Sequence, residues 1–323
     1  MKKIKSVLFS RIMLVTCLIL LSILSLGMGV KEFSIIGFFM GQGDHVSLAI
    51  ISRIPRLVSI LVTGASLSIA GLIMQTITSN KFVSPATAGT MEWCKLGVIA
   101  AMLLAGGQSK MIKILFAFIV ALAGTMFFMY VLNKIKFKNM VLVPLVGMML
   151  GNVVGSITSY FAYKYDIVQN MSSWLQGNFS LVIKGNYELL YIGIPFLFIA
   201  YLYANKFTIA GMGDGFATSL GLNHKAIVTI GMVIVAFITS VTVVTIGSIP
   251  FIGLIIPNIV AMYKGDNLKN TLFDTAIFGA LFVLICDMIG RNILAPYEVS
   301  ISVVISIVGS AIFLFLITRK KNA

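Results

Sequence analysis

The sequence predicts an all-α integral membrane protein of about ten transmembrane helices, with helices two to five and seven to ten forming an inverted repeat. Three observations carry this reading. Hydrophobic residues make up 59% of the 323 residues and charged residues 11%, at a mean hydropathy of +1.04. A soluble domain carries about 25% charged residues, so this chain cannot cover a water-facing surface. Apolar runs of bilayer length recur from end to end, which implies helices rather than a barrel. The basic residues sit in short clusters between those runs: Lys2, Lys3, Lys5 and Arg11; Lys134, Lys136 and Lys138; Lys264 and Lys269; Arg319, Lys320 and Lys321. Cytoplasmic loops of membrane proteins have that pattern.

Taken in order, the apolar runs are 8–28, 55–77, 88–106, 111–132, 140–162, 187–204, 224–247, 250–263, 271–292 and 299–317. The first follows MKKIK as a secretory signal does, but it is too long for a signal core and no small-x-small cleavage site follows. It is read as a retained helix with its N-terminus in the cytoplasm. The second opens on Pro55, a residue suited to the first turn of a helix. The eighth is short and carries Pro250 and Pro257, so a break into two short helices is expected there. Counting Lys and Arg from a cytoplasmic start places most of them on the inner side, with both termini inside. The segment 205–223 is then the longest cytoplasmic stretch. It separates two groups of four helices that start from opposite sides, which is the basis for the inverted repeat.

Several function classes are excluded. The net charge of +14 is distributed among membrane loops, so no separate basic domain exists to bind nucleic acid. Cys17, Cys94 and Cys286 lie in apolar runs without metal-ligand or disulfide-framework spacing. His45 and His224 lie far apart, so no metal site is expected. No GxxxxGK[ST], HExxH or GxSxG pattern occurs. The chain is expected to bind no cofactor of its own, and any ATP used in its work belongs to a partner.

Charges inside or at the mouth of a membrane need a reason, since an Arg, Lys or Asp at a helix centre costs roughly 2.5–3.5 kcal/mol on insertion scales. Arg53 and Arg56 flank Pro55 at an outer mouth. They either snorkel to lipid phosphates or dock acidic groups of an external partner. Asp287 and Arg291, at i and i+4, are expected to pair within one helix. Glu92 and Lys95, at i and i+3 near the inner face, are expected to do the same. Asp287 and Glu92 are also the carboxylates that ion coupling would use in a stand-alone secondary transporter. Gly64, Ser68 and Gly71 share one face of the second helix, and Gly147, Gly151 and Gly155 one face of the fifth. Such faces serve close packing within a subunit, a pore wall or a dimer seam. In 205–223, Asp214 is a candidate cap for a short amphipathic helix with Phe216, Leu220 and Leu222 on its apolar side. That helix either lies on the membrane surface or enters a groove of a cytoplasmic partner.

Four blocks together resemble one family. They are RIPRLVSILVTGASLSIAGLIMQ (53–75), GDGFATSLGLN (213–223), IGSIPFIGLIIPNIVAM (246–262) and CDMIGRNILAPYEVSISVVISIVGSAIFLFLI (286–317). The chain is similar to the permease subunits of ABC importers for iron–siderophores, heme and cobalamin, from about Arg53 to its C-terminus. The stretch FVSPATAGTMEW resembles a branch associated with catecholate-type siderophores such as petrobactin. The resemblance implies a homodimer or heterodimer of such chains in the cell membrane, two cytoplasmic ATPase subunits and an external substrate-binding protein. It implies that Arg53, Arg56 and Arg291 receive acidic residues of the binding protein. Residues 213–222, with Gly213, Asp214, Ala217, Leu220 and Gly221, would seat in the ATPase. The fifth and tenth helices, the former with Gly147, Gly151 and Gly155, would line the path, and SSWLQGNFS (172–180) resembles a short outer-face helix. The sequence departs from the family's pattern at NKFVSP (80–85), at TMEWCKLG (90–97), at Asn258 and Met262, and at Ser300. A ferric siderophore is the expected cargo, with heme or cobalamin the alternative.

Overall fold

A computed structural model describes residues 10–28, 40, 43–106, 109–135 and 141–320. Lys2, Lys3, Lys5, Lys31, Lys136, Lys138 and Lys321 lie outside the described residues. A helix occupies each predicted run: α1 (Arg11–Gly27), α2 (Ile54–Ile77), α3 (Thr90–Leu104), α4 (Lys110–Lys134), α5 (Leu142–Lys164), α6 (Ile194–Ala210), α7 (His224–Thr245), α8 (Ile252–Lys264), α9 (Leu268–Asn292) and α10 (Ile301–Lys320). Short helices at Val168–Leu175 and Asp214–Ser219 fill two of the connections. Seven helical stretches of the described residues are long and apolar enough to cross a membrane; α1, α3 and α8 are shorter. No β-strand forms among the described residues.

The two predicted groups match element by element. The helices α2 to α5 have 24, 15, 25 and 23 residues. The helices α7 to α10 have 22, 13, 25 and 20. Each group places its short helix second. Each short helix starts after a residue of positive φ, Gly89 at 80° and Phe251 at 66°. Packing runs parallel too: α2 lies against α9 and α8, while α7 lies against α4 and α3. An inverted repeat produces this pattern.

The helix α2 is the centre of the bundle. Its small residues do what their spacing suggested, within one chain. A Cβ on Gly64 would fall on the backbone of Gly279 and Ala280, and one on Gly71 on the backbone of Gly253. Only glycine permits backbones that close. Along α2, Ile60 and Leu67 join one apolar cluster with Ile246 and Val283, while Ile69, Ile73 and Ile77 join another with Phe128 and Phe207.

One proline expectation needs correction. Residues 250–263 do not break at Pro257, because α8 runs unbroken through it. Pro257 has no N–H to give the carbonyl four residues back, that of Gly253. The Gln75 side chain of α2 supplies the missing donor, reaching Gly253 O at 3.1 Å and Leu254 O at 3.1 Å. Pro55 does stand in the first turn of α2, but helical backbone already precedes it. Helical backbone enters from Gly43–Leu48 through a π-helical turn, Ala49–Arg53. Pro55 likewise leaves the Ile51 carbonyl free, and the Lys184 amide donates to it at 3.0 Å.

Replacing Gln75 by Leu keeps the volume but strands the Gly253 carbonyl in a buried site. An unsatisfied buried group costs about 1–3 kcal/mol. Gln75→Leu should therefore lower the thermal midpoint of the detergent-solubilised protein. Gln75→Glu, presented with a protonated carboxyl donor, should recover part of the loss; a midpoint unchanged in Gln75→Leu contradicts this account.

Candidate functional site

Three regions hold the residues singled out in the sequence. The first is a charged cluster where α2, α9 and the turn before α10 meet. The expected Asp287–Arg291 pair forms within α9, but it is part of something larger. Arg56 donates to Asp287 Oδ1 at 2.9 Å and, through its other terminal nitrogen, to Glu298 at 2.8 and 3.0 Å. Arg291 also donates to the Ser25 hydroxyl at 3.0 Å and to the carbonyls of Ser25 and Met28 at 3.1 and 3.2 Å. The network thus joins α1, α2, α9 and the 294–300 turn. Arg53 and Arg291 are each 8% exposed. Arg56 and Arg291 are committed to internal partners rather than splayed outward as the spacing of Arg53 and Arg56 suggested. Among the described residues, Arg53, Arg56 and Arg291 meet Asp287 and Glu298 here. Glu298 was missed by the sequence reading because its partner Arg56 is remote in the chain.

A second buried carboxylate was also missed. Asp274 sits in α9 with its side chain 2% exposed, and Arg11 reaches it at 3.0 Å. Lys264 stands 4.0 Å away. Asp274 lies at the opposite end of α9 from Asp287, so α1 is tied to α9 by polar contacts at both of its ends. The loop nearby holds an exposed pair, Lys81 with Asp266 at 2.8 Å.

The second region is a cleft of about 690 Å³ between α3, α5 and the Val168–Leu175 helix. Lys95 donates to Glu92 Oε1 at 2.6 Å on its edge. The pair forms as expected, but not near the inner face. Residues 78–89 pass under α5, so that Gly147 packs on the backbone of Thr87 and Ala88. Glu92 is thereby carried up to Gly151 and Gly155, in the middle of α5. Gly151 and Gly155 line the cleft, whereas Gly147 serves packing.

The third region follows α6. The predicted segment 205–223 is shorter than expected, since α6 continues to Ala210. Gly213, at a φ of 108°, turns the chain into the helix Asp214–Ser219. Asp214 does not cap this helix; it occupies the first turn, and its carboxylate lies 3.7 Å from His224 Nδ1. Gly221 closes it with a φ of 76°. The Leu222 amide bonds the Ala217 carbonyl at 3.0 Å and the Gly221 amide the Thr218 carbonyl at 2.9 Å, the paired bonds of a Schellman ending. Ala217 is buried, while Phe216 and Leu220 are 50% and 56% exposed. A rigid turn thus presents two large apolar side chains outward.

Among the described residues no group of three or more His, Cys, Asp or Glu is placed to hold a metal ion. Cys94 is buried against the Ser240 hydroxyl at 3.4 Å.

Removing the shared carboxylate of the charged cluster leaves two buried guanidinium groups short of a partner. Breaking a buried ion pair by removing one member costs about 3–5 kcal/mol. Asp287→Asn should lower thermal stability in detergent strongly. Glu298→Gln, at a side chain 23% exposed, should lower it much less. Equal losses would show that Asp287 is not the centre of the network.

A model of the FecCD transport family matches residues 14–319. The chain is 54% identical over 304 residues to the petrobactin import system permease protein YclN of Bacillus subtilis, covering 94% of this chain and 96% of that one. It is 39% identical over 274 residues to the ferric-anguibactin transport system permease protein FatD of Vibrio anguillarum, covering 85% and 87% of the two chains. A solved metal-chelate type ABC transporter, in an inward-facing conformation, superposes with a TM-score of 0.81 over 95% of this chain and 97% of that one. At 21% identity, that likeness shows the fold alone. The chain belongs to the FecCD transport family.

Proposed function

We propose that this chain is the membrane-spanning permease subunit of an ATP-binding-cassette importer that carries a ferric siderophore, of the catecholate or petrobactin kind, into the cytoplasm. The observation that carries the reading is the 54% identity, nearly end to end, to a petrobactin import permease. The chain is not itself an enzyme. Two cytoplasmic ATPase subunits supply the energy, and a second permease chain completes the path. Both termini lie in the cytoplasm.

The geometry fits these roles. The helix Asp214–Ser219 offers Phe216 and Leu220 as a compact apolar knob for a groove on an ATPase. The helices α5 and α10 expose apolar side chains, among them Val153, Ile157, Ile307 and Leu314, and these faces suit the second chain and lipid. Arg53, Arg56 and Arg291 gather at one end of α2 and α9, where acidic groups of an external binding protein would dock. Asp287 and Glu92 are each engaged by a basic partner, which fits structural neutralisation better than ion coupling.

Radio-iron uptake should be compared in cells with and without this chain, supplied with ferric catecholate, ferric hydroxamate, ferric citrate or heme, and with labelled cobalamin alongside. The expected result is loss of ferric catecholate uptake alone, restored when the chain is returned. Loss of heme or cobalamin entry instead would overturn the cargo assignment. Phe216→Ala with Leu220→Ala should cut uptake by at least about tenfold, the rate factor of roughly 1.4 kcal/mol, while the permease still inserts and folds. Full uptake by that double variant would overturn the coupling assignment.

A further inference from the structure

Glu92 and Lys95 stand where a membrane protein rarely places charge. A Cβ built on Gly151 would lie 3.6 Å from the Glu92 Cγ, and one built on Gly155 would lie 3.4 Å from its Oε2. Both glycines are in the middle of α5, which runs from Leu142 to Lys164. The pair is therefore at mid-depth of the bundle. Intramembrane charges that serve only packing tend to be shut away. These are not: their side chains are 32% and 20% exposed, on the rim of a cleft of about 690 Å³.

The rest of that cleft mixes polar side chains with the apolar Met171 and Leu175. Asn152, Ser156, Ser159 and Ser172 line it along with the pair. Lipid tails have no use for such a lining, and a contact surface for a second chain has little use for an open one. A passage for an oxygen-rich solute would use both. Lys95 has three N–H donors and gives one to Glu92. Its compact, rotatable ammonium can turn the others toward a negatively charged oxygen in the cleft. Glu92 neutralises Lys95 while the cleft is empty, and Gly151 and Gly155 face its side chain.

We propose that Lys95 is a specificity-determining residue of the passage, meeting the anionic oxygens of a ferric chelate at mid-membrane while Glu92 holds it ready between passages. This rests on the reading of the chain as a ferric chelate importer, and it assigns a charge preference to the path itself.

The test uses the complete transporter, permease with its ATPase and binding-protein partners, in proteoliposomes. The probe is a negatively charged ferric tris-catecholate labelled with radio-iron, and the readout is iron imported per ATP hydrolysed. Lys95→Gln leaves Glu92 as a bare carboxylate facing an anion. It should lower that ratio about tenfold, a barrier change of roughly 1.4 kcal/mol, with the ATPase rate and assembly unchanged. Glu92→Gln keeps the ammonium and loses only its holder, so it should lower the ratio by no more than about threefold, roughly 0.65 kcal/mol. Lys95→Arg, which keeps the charge, should recover most of the loss. A purely structural pair is broken equally by either neutralisation. Equal losses in Lys95→Gln and Glu92→Gln, accompanied by lower thermal stability, would overturn the inference and leave the importer reading standing. A wild-type complex that imports no ferric chelate would overturn the importer reading, and this inference with it.

Discussion

Everything in this bundle is hung on the contact of α2 with the α8–α9 pair. In a bilayer no water is at hand to satisfy a stray backbone group, so each must be paired inside the protein. Two prolines challenge that rule. Pro257 frees the carbonyl of Gly253, and Gln75 of α2 answers it. The answer is possible only because Gly71 and Gly253 bring the two backbones into contact. About two helix turns away, Gly64 does the same with Gly279 of α9. Farther along α2, Arg56 crosses to Asp287 and Glu298. Close approach, a rescued carbonyl and an ion network therefore all fix the same helix in one rotation and one height.

That placement sets the rest. With α2 fixed, its trailing residues 78–89 are led under α5, and α3 starts high enough for Glu92 to stand beside Gly151 and Gly155. The end of α6 is held as well, since the Ser79 hydroxyl donates to the Gly211 carbonyl at 2.7 Å. Gly211 is the residue from which the turn toward Phe216 departs. The mid-depth cleft and the exposed apolar knob are thus two outlets of one rigid core. A partner that pulled on the knob would load α6 and α2 directly, which is the mechanical link an ATP-driven importer needs.

The helical plan was legible in the sequence because membrane helices announce themselves by length and hydropathy, and all ten runs hold a helix. Local pairs were legible for the same kind of reason: Asp287 with Arg291 and Glu92 with Lys95 follow from helical spacing. What stayed hidden is long-range. Glu298 and Asp274 find Arg56 and Arg11 across 242 and 263 residues of chain, and no periodicity reveals such partners. The purpose of Gln75 depends on a proline in another helix, which local sequence does not reveal. The depth of Glu92 was misjudged because the path of 78–89 is decided by packing, not by its own composition. For the candidate sites, the sequence singled out the arginines, the turn at 213–222 and the glycine face, while only the fold shows Arg56 and Arg291 locked inward and Gly151 and Gly155 opening on a cleft.

Under the proposed function this chain is the passive path of an importer driven by ATP in partner subunits. The most direct test is ferric siderophore uptake into proteoliposomes holding the assembled complex, with ATP supplied or withheld and with ion gradients intact or collapsed by an uncoupler. Uptake should stop without ATP, or with a hydrolysis-dead ATPase, and should be indifferent to the uncoupler. Uptake that persists without ATP and collapses with the gradient would contradict it, and would make the chain a secondary transporter instead.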